Sequence, residues 1–238
     1  MLEQWQTGIF TRIIQETPTT RRFWIKFPQL EKFDFKPGQF VTLDLPIHEK
    51  KNKRWRSYSI ASEPNGTNEI ELVIVWLEGG LGTNYLFNEI KEGSELILRG
   101  PLGVFTLPEI IEQDLFFICT GTGIAPFRSM IKNLRDTGKP CKNIYTLFGT
   151  RTRQDLLYFE ELKQLEKELS QFHYIPTLSR EAWEGRRGYV HDIYQELLAD
   201  KRPASFYLCG WKNMIDEAKQ RIQSLGYDRK CIHQELYG

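Results

Sequence analysis

The run Trp55-Arg56-Ser57-Tyr58-Ser59-Ile60-Ala61-Ser62 sets a fixed cation, an aromatic ring and hydroxyls at alternating positions. In an extended strand alternate side chains share a face, so Arg56 and Tyr58 point one way and Ser57 and Ser59 the other. A guanidinium matches phosphate oxygens, and a phenol ring offers a surface for stacking. A ligand with an anionic part and a planar part, such as a flavin nucleotide, meets both. The same run also reads as an edge strand with a solvent-facing Arg56. The second half of the chain weighs against that reading.

There, Cys119-Thr120-Gly121-Thr122-Gly123-Ile124-Ala125-Pro126-Phe127 follows the apolar run Leu115-Phe116-Phe117-Ile118. Glycines at 121 and 123 allow a tight turn and close backbone approach, and the N–H groups of a helix beginning there favour a phosphate. Pro126 stands where a standard dinucleotide fingerprint has its third glycine. Proline is tolerated in a first helical turn, where its missing N–H costs little.

The elements that must position these groups differ between the two halves. Short runs at 23–27, 39–45, 56–62, 70–76 and 95–99 are rich in β-branched, aromatic and aliphatic residues, and Pro37-Gly38, Pro64-Asn65-Gly66 and Glu92-Gly93 punctuate them. They predict an antiparallel β-barrel interrupted by one short helix near 83–90. After Pro108 apolar strands at 115–119, 143–148, 172–178, 205–209 and 231–236 alternate with helical stretches at 126–137, 154–169, 190–199 and 214–225. That alternation predicts an α/β domain with a parallel sheet, whose ligands sit at the carboxyl ends of the strands. The expected domains are 1–108 and 109–238.

With 40% apolar and 26% charged residues the 238-residue chain has the composition of a globular protein. A formal net charge of +1 gives no global field for nucleic acid or an anionic membrane. No apolar run is long enough for a bilayer span, and the first residues show no signal peptide. Cys119, Cys141, Cys209 and Cys231 lack the spacing of a zinc or iron–sulfur site, so free thiols in the cytoplasm and no metal are expected.

These motifs together resemble the ferredoxin–NADP reductase superfamily over essentially the whole length. Arg56, Tyr58 and Ser59 match its Arg-x-Tyr-Ser motif. The resemblance implies that Arg56 meets the FAD pyrophosphate, Tyr58 stacks on the flavin and Ser59 hydrogen-bonds near N5. Gly80-Leu81-Gly82-Thr83 matches a Gly-x-x-Ser/Thr motif that implies a second pyrophosphate contact, and this favours FAD over FMN. Gly100-Pro101-Leu102-Gly103 resembles the turn that closes the barrel. Thr120, Gly121, Thr122, Gly123 and Pro126 resemble the NAD(P) pyrophosphate loop, and Gly149-Thr150-Arg151 the next strand–helix junction. Cys209 and Gly210 match a Cys-Gly pair beside the nicotinamide. Near the C-terminus Glu235 corresponds to a Glu close to the reacting rings and Tyr237 to an aromatic covering the flavin, although Gly238 extends the plant-type pattern by one residue.

Ser179-Arg180 and then Arg187 resemble the 2′-phosphate site of NADP-dependent members, which favours NADP(H) over NAD(H), although Arg180 could also pair with Glu181 or Glu184. Ser59, Cys209 and Glu235 are the expected catalytic set. The implied activity is hydride transfer between NAD(P)H and FAD, then single-electron transfer to a separate ferredoxin or flavodoxin. An NADH-dependent reductase component of a multicomponent oxygenase is one alternative, and a non-catalytic flavin-binding subunit another. The basic run Lys50-Lys51-Asn52-Lys53-Arg54 suits an acidic partner and equally a solvated loop.

Overall fold

The computed structural model describes residues 4–237; Gly238 and the first three residues lie outside them. Contacts divide the chain into two units. The first runs to Thr106 and also takes in Arg128–Asn133; the second comprises Leu107–Phe127 and the chain from Leu134 onward.

In the first unit, β1 (Gln6–Thr17), β2 (Thr20–Lys26), β3 (Phe40–Asp44), β4 (Trp55–Ser59), β5 (Glu69–Val75) and β6 (Glu95–Leu102) form one sheet in the order β4-β3-β6-β1-β2-β5. All its pairings are antiparallel. An isolated bridge between Ile60 and Leu72 links the end of β4 to β5, so the two edge strands meet and the sheet curls into a barrel. The inner faces supply Phe10, Phe23, Ile25, Val41, Leu43, Leu72 and Leu98, each essentially inaccessible. Helix α1 (Leu81–Asn88) adds Leu86 to this core.

The expected strands did not include β1, although it is the longest. Its residues mix apolar and polar types without clean alternation, and its pairing to β2 shifts register at two points. Gly8 shows how tightly it packs: a β-carbon there would lie 2.6 Å from both Ile25 Cγ2 and Leu98 Cδ2. The strand is held by what surrounds it more than by its own pattern.

The second unit holds β7 (Asp114–Thr120), β8 (Ile144–Thr150), β9 (Phe172–Leu178), β10 (Arg186–Arg187), β11 (Ala204–Trp211) and β12 (Ile232–Tyr237), in the order β10-β9-β8-β7-β11-β12. Every pairing is parallel. The helices are α2 (Ile124–Thr137), α3 (Phe159–Glu168), α4 (Val190–Leu197) and α5 (Lys212–Ser224). Alternate residues of the central strands face opposite ways. Phe116, Ile118, Leu147, Phe206 and Leu208 pack with Val190, Ile193, Ile215 and Ile222 of α4 and α5. Phe117 points to the other face, where its ring stacks on Phe127 of α2 at 4.7 Å. The order reverses direction between β7 and β11, which makes their carboxyl ends the topological switch point.

The expected 154–169 helix is shorter. A single 3-10 turn at Arg153–Asp155, closed by a reciprocal Thr152–Asp155 capping box, precedes α3, and Tyr158 between them is left-handed with φ 54°. Strand β10, two residues long, carries no apolar pattern that a sequence could show. No described helix is long and apolar enough to cross a membrane, and among the described residues no cluster of His, Cys, Asp and Glu could hold a metal ion.

Candidate functional site

In the first unit the site grows from the register of β3 and β4. Arg56 sits opposite Leu43 and Tyr58 opposite Val41, while Ser57 sits opposite Thr42 and shares a 3.0 Å hydroxyl contact with it. Tyr58 packs on the barrel core, and burial pushes its phenol up to about 12, against the opposing pull of the Arg56 charge. The ring is therefore neutral near pH 7. Ser59 ends the strand, only 3% exposed.

Arg56 donates from Nη1 to the carbonyls of Lys53 and Trp55, at 3.0 and 2.8 Å. Among the described residues no carboxylate pairs with it; Arg54, its neighbour, is bound by Asp44 at 2.8 Å. Gly82 in the first turn of α1 lies against the Arg56 stem, where a β-carbon would be 3.0 Å from Cγ and 3.2 Å from Nε. Gly80 is the N-cap, and no side chain caps α1. First-turn amides have no acceptor within a helix. An uncompensated guanidinium therefore stands beside uncapped amides, the combination that binds a phosphate group. Thr83 serves the turn through its side chain. Its hydroxyl meets Leu77 N at 3.1 Å and Gly80 O at 3.1 Å, so it shapes the turn, and its backbone N–H is the group left for a ligand.

In the second unit Thr120, Gly121, Thr122 and Gly123 form the turn from β7 into α2, beside the end of β11. A β-carbon on Gly123 would lie 2.4 Å from the Cys209 carbonyl oxygen, so only glycine permits this approach. Gly210 has φ 141° and a β-carbon there would meet Thr120 Oγ1 at 2.5 Å. Thr120 Oγ1 is buried and has no hydrogen-bond partner in the protein. That orphaned hydroxyl, with the uncapped start of α2, fits a nucleotide that brings its own polar atoms. Pro126 lies in the first turn of α2, where no N–H is required.

Cys209 is fully buried, and its register partners are Cys119 on β7 and Glu235 on β12. Burial first, and then the charges of Glu235 and Cys119, push its thiol well above the usual range, with a hydrogen bond to Tyr237 pulling the other way. It is a neutral thiol. Tyr237 stands opposite Trp211 at the end of β12.

At the far side of the sheet, Ser179 donates from Oγ to Thr150 O at 3.2 Å, and Arg180 N donates to Arg151 O at 3.0 Å. Arg187 pairs in register with Leu178. Glu184 is bound to Arg153 at 3.0 Å, and Glu181 accepts from the Arg153 backbone at 2.7 Å. Arg186 is held by Glu196 at 2.7 Å. Arg151, Arg180 and Arg187 are exposed, and among the described residues none has a carboxylate partner. Arg151 was not foreseen as part of this group. Its signal is positional: it follows β8 by one residue, as Arg180 follows β9 by two. Tyr189, 69% exposed and two residues beyond Arg187, adds a free ring to the same edge.

A family model described as an oxidoreductase FAD-binding domain matches residues 9–107, and one described as an oxidoreductase NAD-binding domain matches residues 117–220. Ferredoxin–NADP reductase B of Sorangium cellulosum is 35% identical over 230 residues, which cover 93% of each chain. The glycine betaine monooxygenase reductase subunit of Pseudomonas aeruginosa is 33% identical over 232 residues, 95% of this chain but 63% of that protein. The chain thus spans less than two thirds of that oxygenase component. Among solved structures, a cytochrome P450 reductase from Amycolatopsis superposes with a TM-score of 0.88 at 25% identity, covering 98% of this chain and 70% of the other. A ferredoxin NADP+ reductase from Neisseria gonorrhoeae with bound FAD and NADP shares the fold, with a TM-score of 0.81, 23% identity and 98% of both chains covered. Two adjoining domain matches and a relative similar over nearly its full length place the chain in one family: it belongs to the ferredoxin–NADP reductase superfamily.

Proposed function

We propose that this chain is an NADPH-dependent flavoprotein reductase that delivers electrons to a separate one-electron protein carrier. The observation that supports this most directly is a pair of helix starts, one per unit, whose amides no side chain caps, one beside the Arg56 charge that no carboxylate compensates and the other beside the unpartnered Thr120 hydroxyl. When bound, FAD accepts hydride from the nicotinamide and releases electrons singly, which is chemistry the cofactor supplies. Arg56 and the first-turn amides of Gly82 and Thr83, with Gly80 setting the turn, hold the FAD pyrophosphate. Tyr58 presents a neutral ring to the flavin, and Ser59 supplies a hydroxyl beside it.

The loop Thr120–Gly123 and the first turn of α2 around Pro126 hold the dinucleotide pyrophosphate. Cys209 and Gly210 form a flat wall for the nicotinamide. Because its thiol is neutral, Cys209 acts by contact and not as a nucleophile. Glu235, its register neighbour, places a carboxylate at the same strand end. Ser179, Arg180, Arg187 and Arg151 bind the 2′-phosphate, which is why NADP(H) is preferred to NAD(H), and Tyr189 stacks on the adenine. Arg180 is available for that role because Arg153 occupies Glu184 and its backbone N–H occupies Glu181.

Lys50, Lys51 and Lys53 are exposed beside the start of β4, and they suit an acidic carrier such as ferredoxin or flavodoxin. A second reading, an NADH-using reductase component that serves an oxygenase, is favoured by the 33% identity to such a component.

Four outcomes are expected. Arg56→Ala should purify with substoichiometric FAD, because losing a charge-assisted phosphate contact costs about 1.5–3 kcal/mol, or roughly ten- to a hundredfold in affinity. Full loading with unchanged FAD affinity would remove the phosphate role.

Arg180→Ala and Arg151→Ala should each lower kcat/KM for NADPH by about tenfold or more while leaving NADH nearly untouched, as expected for loss of one charged hydrogen bond. Equal kcat/KM for the two nucleotides in the unmutated protein would transfer support to the oxygenase-component reading.

Reduction of an acidic carrier should slow as salt rises, since attraction between exposed charges is screened over about 10 Å at 0.1 M. Charge reversal at Lys51 and Lys53 without effect on that rate would show that the carrier docks elsewhere.

Tyr237 stands at the strand end beside Cys209, so its ring must yield before nicotinamide stacks there, which makes it a gate. Tyr237→Ser should bind NADP+ more tightly and turn over more slowly, because tighter ground-state binding does not lower the barrier. Titration of NADP+ together with kcat for both proteins checks this; no change in either quantity would reduce Tyr237 to a strand-end residue.

A further inference from the structure

Beyond β4, each of residues 60–63 is held, Ile60 and Ala61 through the backbone and Ser62 and Glu63 through their side chains. Ile60 N donates to Gln39 O at 2.9 Å, and Ile60 bridges Leu72. Ala61 N donates to Glu71 O at 2.8 Å, and Ser62 Oγ accepts from Glu71 N at 3.0 Å. The remaining holds come from α2. Arg128 Nη1 donates to the Ala61 carbonyl at 2.7 Å, and Lys132 Nζ pairs with Glu63 at 2.8 Å. Residues 128 and 132 are four apart and share one helical face. Both belong to the stretch of α2 that clusters with the first unit.

Arg128 is 2% exposed and Glu71 3%. Glu71 accepts from Arg128 at 3.1 Å and from Arg22 Nε at 2.6 Å. A buried ion pair is a poor source of stability, because desolvation offsets most of the attraction and well-packed apolar residues often serve as well. What a guanidinium does that an apolar side chain cannot is fix the height of a carbonyl. Glu71 holds the guanidinium, and the guanidinium holds the Ala61 carbonyl, two residues from Ser59. The placement of a reacting group matters at the scale of an ångström.

We infer that Arg128, aligned by Glu71 and assisted by Lys132, is the positioning residue that sets where Tyr58 and Ser59 present themselves to the flavin. The inference rests on reading Arg56–Ser59 as the flavin strand. Arg128 itself touches neither cofactor nor substrate in this scheme.

The test uses the full-length, FAD-loaded protein with Arg128→Met, Arg128→Lys, Lys132→Ala and, as comparator, Ser59→Ala. Four quantities are read: FAD content, the visible absorption and circular dichroism of the bound flavin, NADP+ affinity, and the single-turnover rate of flavin bleaching at saturating NADPH. Arg128→Met should retain FAD and bind NADP+ as before, yet alter the flavin's visible spectrum and slow bleaching about ten- to a hundredfold, the range for a misplaced reacting group. Arg128→Lys, which keeps one donor for Ala61, should recover part of the rate. Lys132→Ala should shift spectrum and rate in the same direction by less.

Arg22 still pairs with Glu71 when Arg128 is lost, so the methionine variant should fold. If it does not, Lys132→Ala and Arg128→Lys decide alone. A folded Arg128→Met or Lys132→Ala with parental spectrum and bleaching rate overturns the inference. If Ser59→Ala slows bleaching and the α2 variants do not, the positioning role fails and the flavin strand stands. If Ser59→Ala has no effect, the reading of the strand itself fails.

Discussion

Two parallel strands, β7 and β11, lie side by side with Cys119 opposite Cys209, and the helices that leave them go to opposite faces of the sheet. Divergence of this kind places the switch point at the carboxyl ends of the two strands. Glycine lets the backbones come close there. Gly123 meets the Cys209 carbonyl where a β-carbon would lie 2.4 Å away, and Gly210 meets Thr120. Two backbones brought this close present amides and carbonyls, and a dinucleotide laid along them touches the main chain. The pairing of β7 with β11 sets Cys119 beside Cys209, and the pairing of β11 with β12 adds Glu235 on the other side.

Electrostatics separates charges with carboxylate partners from those without. Several guanidiniums have carboxylate partners: Arg22 with Glu71, Arg54 with Asp44, Arg153 with Glu184, Arg186 with Glu196 and Arg202 with Asp114. Among the described residues Arg56, Arg151, Arg180 and Arg187 do not, and neither do Arg12, Arg21 and Arg99, whose guanidiniums lie over aromatic rings. With a net charge near zero the protein has no long-range field to speak of, so any anion would be drawn by local charges. Composition cannot reveal this, because it counts charges without pairing them.

Several parts of this arrangement were readable in the sequence. Strand–helix alternation after Pro108 is the direct mark of a parallel sheet, and the glycines at 121 and 123 mark a tight turn, with φ 54° at Gly121 and close backbone approach at Gly123. Arg56 and Tyr58 on one face follow from a period of two. Other parts were not. Strand β1 is stabilised by its neighbours on both sides, and its mixed residues hide it. The Thr83 hydroxyl is drawn into its own turn, a competition that local spacing cannot settle. Arg151 joins Arg180 and Arg187 only once strand order brings β8, β9 and β10 side by side. Arg128 reads as an ordinary exposed helix residue until Glu71, 57 positions earlier, is found beneath it.

Cys209 shows what burial does to sulfur chemistry. A thiolate is what peroxides and alkylating agents attack, and a thiol held well above its usual pKa offers almost none near neutral pH. Its neighbour Cys119 is held the same way. The sheet thus keeps a soft, polarisable atom at the end of a central strand while withholding the ionised form that oxidants consume. Packing, through burial, is the chief reason that both sulfurs stay protonated.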